Sequence, residues 1–71
     1  MFIIENRGVR AEGSYHKLAK AKREALKLSR RERGEVEAGH VWQQLRDGSV
    51  SLCIDDGFDS YQVGIVVRED N

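Results

Sequence analysis

The sequence predicts an α+β fold: a two-layer domain with one amphipathic basic helix packed on a small, mainly antiparallel sheet, in the order β-α-β-β-β. Three observations carry this. Residues 14–33 are rich in Ala, Leu, Lys and Arg, contain no glycine or proline, and place apolar residues at helical spacing. Residues 50, 52 and 54 and residues 61, 63, 65 and 67 are apolar, the every-second-residue spacing of a half-buried strand. At 71 residues the chain can bury roughly 60% of its unfolded surface. That suits a single domain over residues 1–71, one helix on one sheet, without a deep substrate cavity.

Phe2, Ile3, Ile4 and Glu5 read as a short strand that stops at the turn signal Asn6-Arg7-Gly8. Residues 9–12 either return as a second strand or cross directly to the helix. Ser14 is the expected N-cap, its hydroxyl accepting an unpaired first-turn amide; Lys17 at the third helical position leaves no capping box. On a helical wheel Leu18, Ala21, Ala25 and Leu28 share one side, with Tyr15, Ala19 and Leu26 beside them. Lys22 and Ser29 interrupt that side, so Lys22 is expected to snorkel at its edge. The other side carries Lys17, Lys20, Arg23, Lys27, Arg30 and Arg31. Gly34 is the expected stop, and residues 35–39 form a polar connector.

Asp47-Gly48 lies between two strand-like runs, the signature of a two-residue type I′ hairpin. That turn sets Arg46 opposite Ser49, Leu45 opposite Val50, Gln43 opposite Leu52 and Val41 opposite Ile54. The helix-facing side then holds Val41, Leu45, Val50, Leu52, Ile54, Val63, Ile65 and Val67. Trp42, Cys53, Gly64 and Val66 face outward among Gln44, Ser49, Ser51 and Gln62. Ala38, Val41, Trp42 and Leu45 also fit helical spacing; the strand is preferred because Val41-Trp42 sits in register with the turn. Residues 55–60 are a loop by composition, and residues 61–68 form the last strand.

Twelve Lys/Arg balance twelve Asp/Glu, but the charges are segregated. Residues 1–33 hold ten Lys/Arg against four Asp/Glu, a net +6, and residues 34–71 hold two against eight, a net −6. Either the two halves attract and help the fold close, or the surface is bipolar and steers a partner. One cysteine, Cys53, excludes an internal disulfide. The N-terminal apolar stretch is too short and too soon charged for a signal peptide, and no run approaches a membrane span. A cytoplasmic protein without membrane contact is expected.

The residues give little support to an enzyme, and no cofactor or small-molecule substrate is expected. His16 and His40 are the two histidines; a Cys53–His40 nucleophilic pair lacks an orienting third group or an oxyanion donor. Asp55, Asp56 and Asp59 do not match the ligand spacing of a calcium loop. One thiol and two scattered histidines do not make a zinc site, and the glycines lack phosphate-loop spacing.

Two binding features remain. Lys17, Lys20, Arg23, Lys27, Arg30 and Arg31 offer cations to a nucleic-acid backbone or an acidic partner. Trp42, with Gln44 and Val66, offers an outward aromatic anchor for a protein partner or a second copy. The expectation is a non-enzymatic accessory or regulatory module acting by protein–protein contact through the outer sheet face and charged helix. A sequence-nonspecific nucleic-acid binder using the basic helix face is the alternative.

Overall fold

The computed structural model describes residues 1–33, 39–55 and 57–70. The expected helix stop at Gly34, connector residues 35–38, Asp56 and Asn71 lie outside them. Strand β1 (Phe2–Asn6) turns directly into β2 (Val9–Arg10). Arg7 and Gly8 both take positive φ, 52° and 83°, the two-residue type I′ geometry whose twist matches paired strands. Residues 9 and 10 thus do return as a strand, pairing Asn6 with Val9 and Glu5 with Arg10.

Helix α1 spans Leu18–Arg33, starting four residues later than the sequence predicts. Ser14 is not its cap. The chain at Tyr15 is held by β1 instead: Phe2 N–H donates to Tyr15 O at 2.7 Å, and Tyr15 N–H donates to Phe2 O at 2.8 Å. Those two bonds keep Tyr15 extended, and the first intrahelical bond runs from Ala21 N–H to Lys17 O. Long-range pairing overrides the local cap signal. Ala21, Ala25 and Ser29, spaced by four, are the buried row of the helix, and their small side chains let it lie close on β1 and on β5 (Ser60–Glu69). At the far end Asn6 Nδ2 donates to Glu32 Oε1 at 2.6 Å, tying the last helical turn to β1.

Five antiparallel strands complete the sheet in the order β2-β1-β5-β4-β3, with β3 at Gly39–Gln44 and β4 at Val50–Asp55. The α+β class and the single helix on an antiparallel sheet agree with the sequence; the observed order is ββαβββ. Ile4, Leu52, Val63, Ile65 and Val67 join Ala21 and Ala25 in one buried cluster, with Val50 and Ile54 packed against it. Tyr61, opposite Ile54, shares that face but remains 47% exposed. Between Leu52 and β5 the register shifts, and Gly64 sits in the irregularity at φ 85°. Its carbonyl accepts Arg7 N–H at 2.8 Å, and a Cβ there would lie 3.1 Å from Arg7 Cγ. Only glycine combines that φ with that approach.

The β3–β4 register is one residue off the expected one. Leu45 N–H donates to Ser49 O at 2.8 Å and Gly48 N–H to Leu45 O at 3.1 Å, so the loop has three residues, Arg46, Asp47 and Gly48. Among them only Gly48 has positive φ, 90°, which fits a type I turn closed by a glycine bulge rather than type I′. The Asp47 carboxylate enforces it by accepting both the backbone N–H and the hydroxyl of Ser49. Trp42 consequently pairs with Leu52, Val41 with Cys53 and Gln43 with Ser51. Every β3 side chain lies on the face opposite to that expected, because a one-residue slip inverts a strand.

The outer face is more covered than a bare single sheet would be. Ile3, which alternates away from Ile4, is fully buried, and Ser49, Ser51 and Cys53 are buried. By register Ile3 lies beside Arg68, whose Nε donates to Glu5 Oε1 at 2.6 Å; Arg10 pairs with Asp70 at 3.4 Å. Glu5 and Arg68 thus neighbour Ile3 on that face by register, and the stems of long charged side chains can cover apolar surface.

Two outcomes test this packing. Leu52→Ala or Ile65→Ala should each cost about 2–5 kcal/mol, read as a large fall in the thermal or urea midpoint. The Ser49 hydrogen bonds hold the Asp47 carboxyl below its ordinary range. A depressed folded pKa contributes stability that is present above the unfolded value and lost as pH falls through the folded one. The stability gap between wild type and Asp47→Ala should therefore be full at neutral pH and shrink below the usual carboxylate range, as pH-dependent melting would show.

Candidate binding surfaces

The solvent side of α1 assembles the cations that the sequence places there. Lys17, just before the helix, and Lys20, Arg23, Lys27, Arg30 and Arg31 are all exposed. Lys20, Arg23, Lys27 and Arg30 follow one another by three, four and three positions, about 5 Å apart along the axis. Two open depressions lie along this side. One is lined by Ser14, Tyr15, His16, Lys17, Lys20 and Arg23, the other by Glu24, Lys27, Arg30 and Arg31.

The ion pairs of these cations bear on the two explanations of the charge segregation. Lys27 Nζ lies 3.3 Å from Glu24 Oε1, within the helix. The other ion pairs among the described residues, Arg10–Asp70 and Arg68–Glu5, join strand residues. Among the described residues no ion pair joins Lys17, Lys20, Lys22, Arg23, Lys27, Arg30 or Arg31 to an acid of the sheet. Contact ion pairs to the described acids of the sheet therefore do not hold these cations in place.

The second expected surface is not assembled as one. Trp42 and Gln44 lie on the helix side of the sheet, across from Leu52 and Val50. Val66 lies opposite Ser51 and Glu5, on the outer side. Trp42 is half-buried, packs against the core cluster, and carries Lys22 Nζ 5.6 Å from its ring centroid. Lys22 does lie at the edge of the buried stripe, and its ammonium meets an aromatic face there. Its partner was hidden in the sequence by the hairpin register. The outward side chains of β3 are instead Val41, 45% exposed, and Gln43, whose Oε1 accepts from Gln62 Nε2 at 2.9 Å.

The same register separates the candidate nucleophile from its base. His40 pairs with Ile54 on the helix side, whereas Cys53 is buried on the outer side beneath Gln43, its Sγ 3.9 Å from Oε1. The two cannot form a catalytic pair across opposite faces. Asp55 Oδ1 accepts Gly57 N–H at 2.9 Å, a carboxylate capping its own turn. Among the described residues no three His, Cys, Asp or Glu converge as metal ligands, and no helix is long and apolar enough to cross a membrane.

Because Trp42 packs on the core side, Trp42→Ala should destabilise the isolated fold by about 1–3 kcal/mol, less than full burial would give. Lys22→Ala should cost less and shift the tryptophan emission; chemical denaturation followed by fluorescence measures both.

The chain matches no protein-family model, and neither a curated protein nor a solved structure is detectably similar to it.

Proposed function

We propose that this protein is a non-enzymatic binding module that docks nucleic acid on the solvent side of α1, through the phosphate backbone and without base-specific reading. The observation that supports it most is the set of exposed helix cations without ion pairs to the described acids of the sheet. A stripe of exposed cations binds polyanions by releasing their condensed counterions. A helix of 16 residues is about 24 Å long, enough to track several phosphates of one strand. Base reading would call for Asn, Gln or an exposed arginine fork entering a groove. The helix carries no amide side chain, and its exposed arginines are interleaved with lysines along one stripe, so the proposal assigns them to phosphates rather than to base edges.

A protein partner on a combined Trp42–Gln44–Val66 surface has less support, since those residues divide between two faces. An acidic protein on the helix would use the same cations and is distinguished by experiment. A gel-shift or anisotropy titration with duplex and single-stranded DNA and RNA should give affinity that falls steeply with salt. Full engagement of the stripe corresponds to a log–log slope of about −5 on duplex DNA. Replacing Lys20, Arg23 and Lys27 by Glu should abolish binding and leave the melting temperature nearly unchanged, these being exposed positions. Salt-independent binding, or full binding by the triple variant, would sink the proposal.

A further inference from the structure

We infer that the free edge of β3 is a self-association site at which a second copy of this chain adds its own β3 antiparallel, continuing the sheet. Among the described residues β3 pairs only with β4, which leaves the other side of its backbone without a described partner strand. The open groups follow from the hairpin. Leu45 N–H bonds to Ser49 O, so Leu45, Gln43 and Val41 direct their peptide groups at β4. His40, Trp42 and Gln44 direct theirs outward, because antiparallel ladders alternate.

The two edges of the sheet differ. β2 has two residues, one of them Arg10, too short to template a partner. β3 has six, GHVWQQ, with no proline, lysine, arginine or acid, in a chain that is 34% charged. Those are the devices by which edge strands avoid pairing, and β3 has none of them. Five of its six residues are exposed, Val41 among them at 45%.

A second copy suits this edge because the strand is self-complementary about Trp42. With Trp42 opposite Trp42 of the other copy, His40 meets Gln44 and Gln44 meets His40. Each such pair exchanges two backbone hydrogen bonds. Val41 then faces Gln43 of the other copy on the outer side, and the two indoles meet on the helix side. No like charges oppose each other anywhere along the strand. The two-fold axis runs perpendicular to the sheet, so both copies of α1 lie on one side. Each helix sits over β1 and β5. In a flat sheet their axes are then roughly 29 Å apart at about 4.8 Å per strand. That exceeds the screening length of about 10 Å in ordinary salt, so the exposed stripes of the two helices do not oppose association; Lys22, over the Trp42 ring, is the helix cation brought nearest its symmetry mate. The inference does not depend on nucleic-acid binding; either can fail alone.

The test combines light scattering across a concentration series with amide hydrogen exchange on the whole chain. Mass should rise from one copy towards two, and the Trp42 and Gln44 amides should gain protection in step with it. Gln44→Pro removes an outward N–H while leaving the bonds of Gln43 and Val41 to β4. It should weaken dimerisation about tenfold or more without lowering the melting temperature appreciably. If that variant misfolds, Val41→Lys, which opposes a cation to Gln43 and leaves the backbone intact, should weaken association in the same direction. A chain that remains monomeric at millimolar concentration overturns the inference. So does a dimer whose Trp42 and Gln44 amides exchange as fast as in the monomer, since its interface must then lie elsewhere.

Discussion

The carboxylate of Asp47 and its two bonds to Ser49 decide more of this molecule than any core residue does. Asp-Gly can close a hairpin as the two central residues of a type I′ turn or as the last two of a three-residue loop. By capturing Ser49, Asp47 selects the three-residue loop. The parity of the β3 register changes with it, and parity is all that separates one face of a strand from the other. Trp42 goes to the helix side to pair with Leu52, Val41 goes outward, and the peptide groups of His40, Trp42 and Gln44 are left on the open edge.

The helix layer answers to a different constraint. The buried row Ala21-Ala25-Ser29 is narrow, and the side chains that widen it, Leu18, Leu26 and Leu28, are only half-buried. A slender contact like this positions a helix by close approach rather than by bulk. Ties at its two ends supplement it: the Tyr15–Phe2 backbone pair before it and the Asn6–Glu32 hydrogen bond in its last turn. Held at both ends, the helix turns its cations to solvent along its length. The positive charge of the first half of the chain is thus displayed on the surface, while the ion pairs of strand residues, Glu5–Arg68 and Arg10–Asp70, knit the outer side of the sheet.

What was legible in the sequence, and what was not, follows from the range of each signal. Period-two alternation marked Leu52, Val63, Ile65 and Val67 as core, and the helix periodicity marked Ala21 and Ala25, because burial imposes those patterns locally. The cations of α1 were legible for the same reason. Ser14 misled because the competing bond, to Phe2, comes from a strand twelve residues earlier. The register of β3 misled because Asp-Gly satisfies two turn geometries, and only the Asp47–Ser49 contact distinguishes them. A signal was present: a serine directly after Asp-Gly offers both a hydroxyl and an amide to the aspartate. The burial of Ile3 had no local signal, since Glu5 and Arg68, which neighbour it on that face, are 63 residues apart in sequence.

The hairpin and the helix together explain why the two proposed binding surfaces differ in kind. The cations of α1 present charge with no imposed register, which suits a partner with a repeating anionic backbone and no fixed sequence. The edge of β3 presents the opposite: an ordered row of donors and acceptors with almost no charge, which suits a partner of matching backbone spacing. Charge attracts from a distance and discriminates little, whereas backbone pairing acts only at contact and fixes alignment. Placing the first on the helix and the second on the sheet edge keeps each free of the other. Pairing at β3 would leave Lys17, Lys20, Arg23, Lys27, Arg30 and Arg31 on the solvent side of the helix, and an anion there would lie away from the β3 peptide groups. In a chain of 71 residues with one helix and one sheet, that separation requires Trp42 to pack inward, and the Asp47 loop is what turns it there.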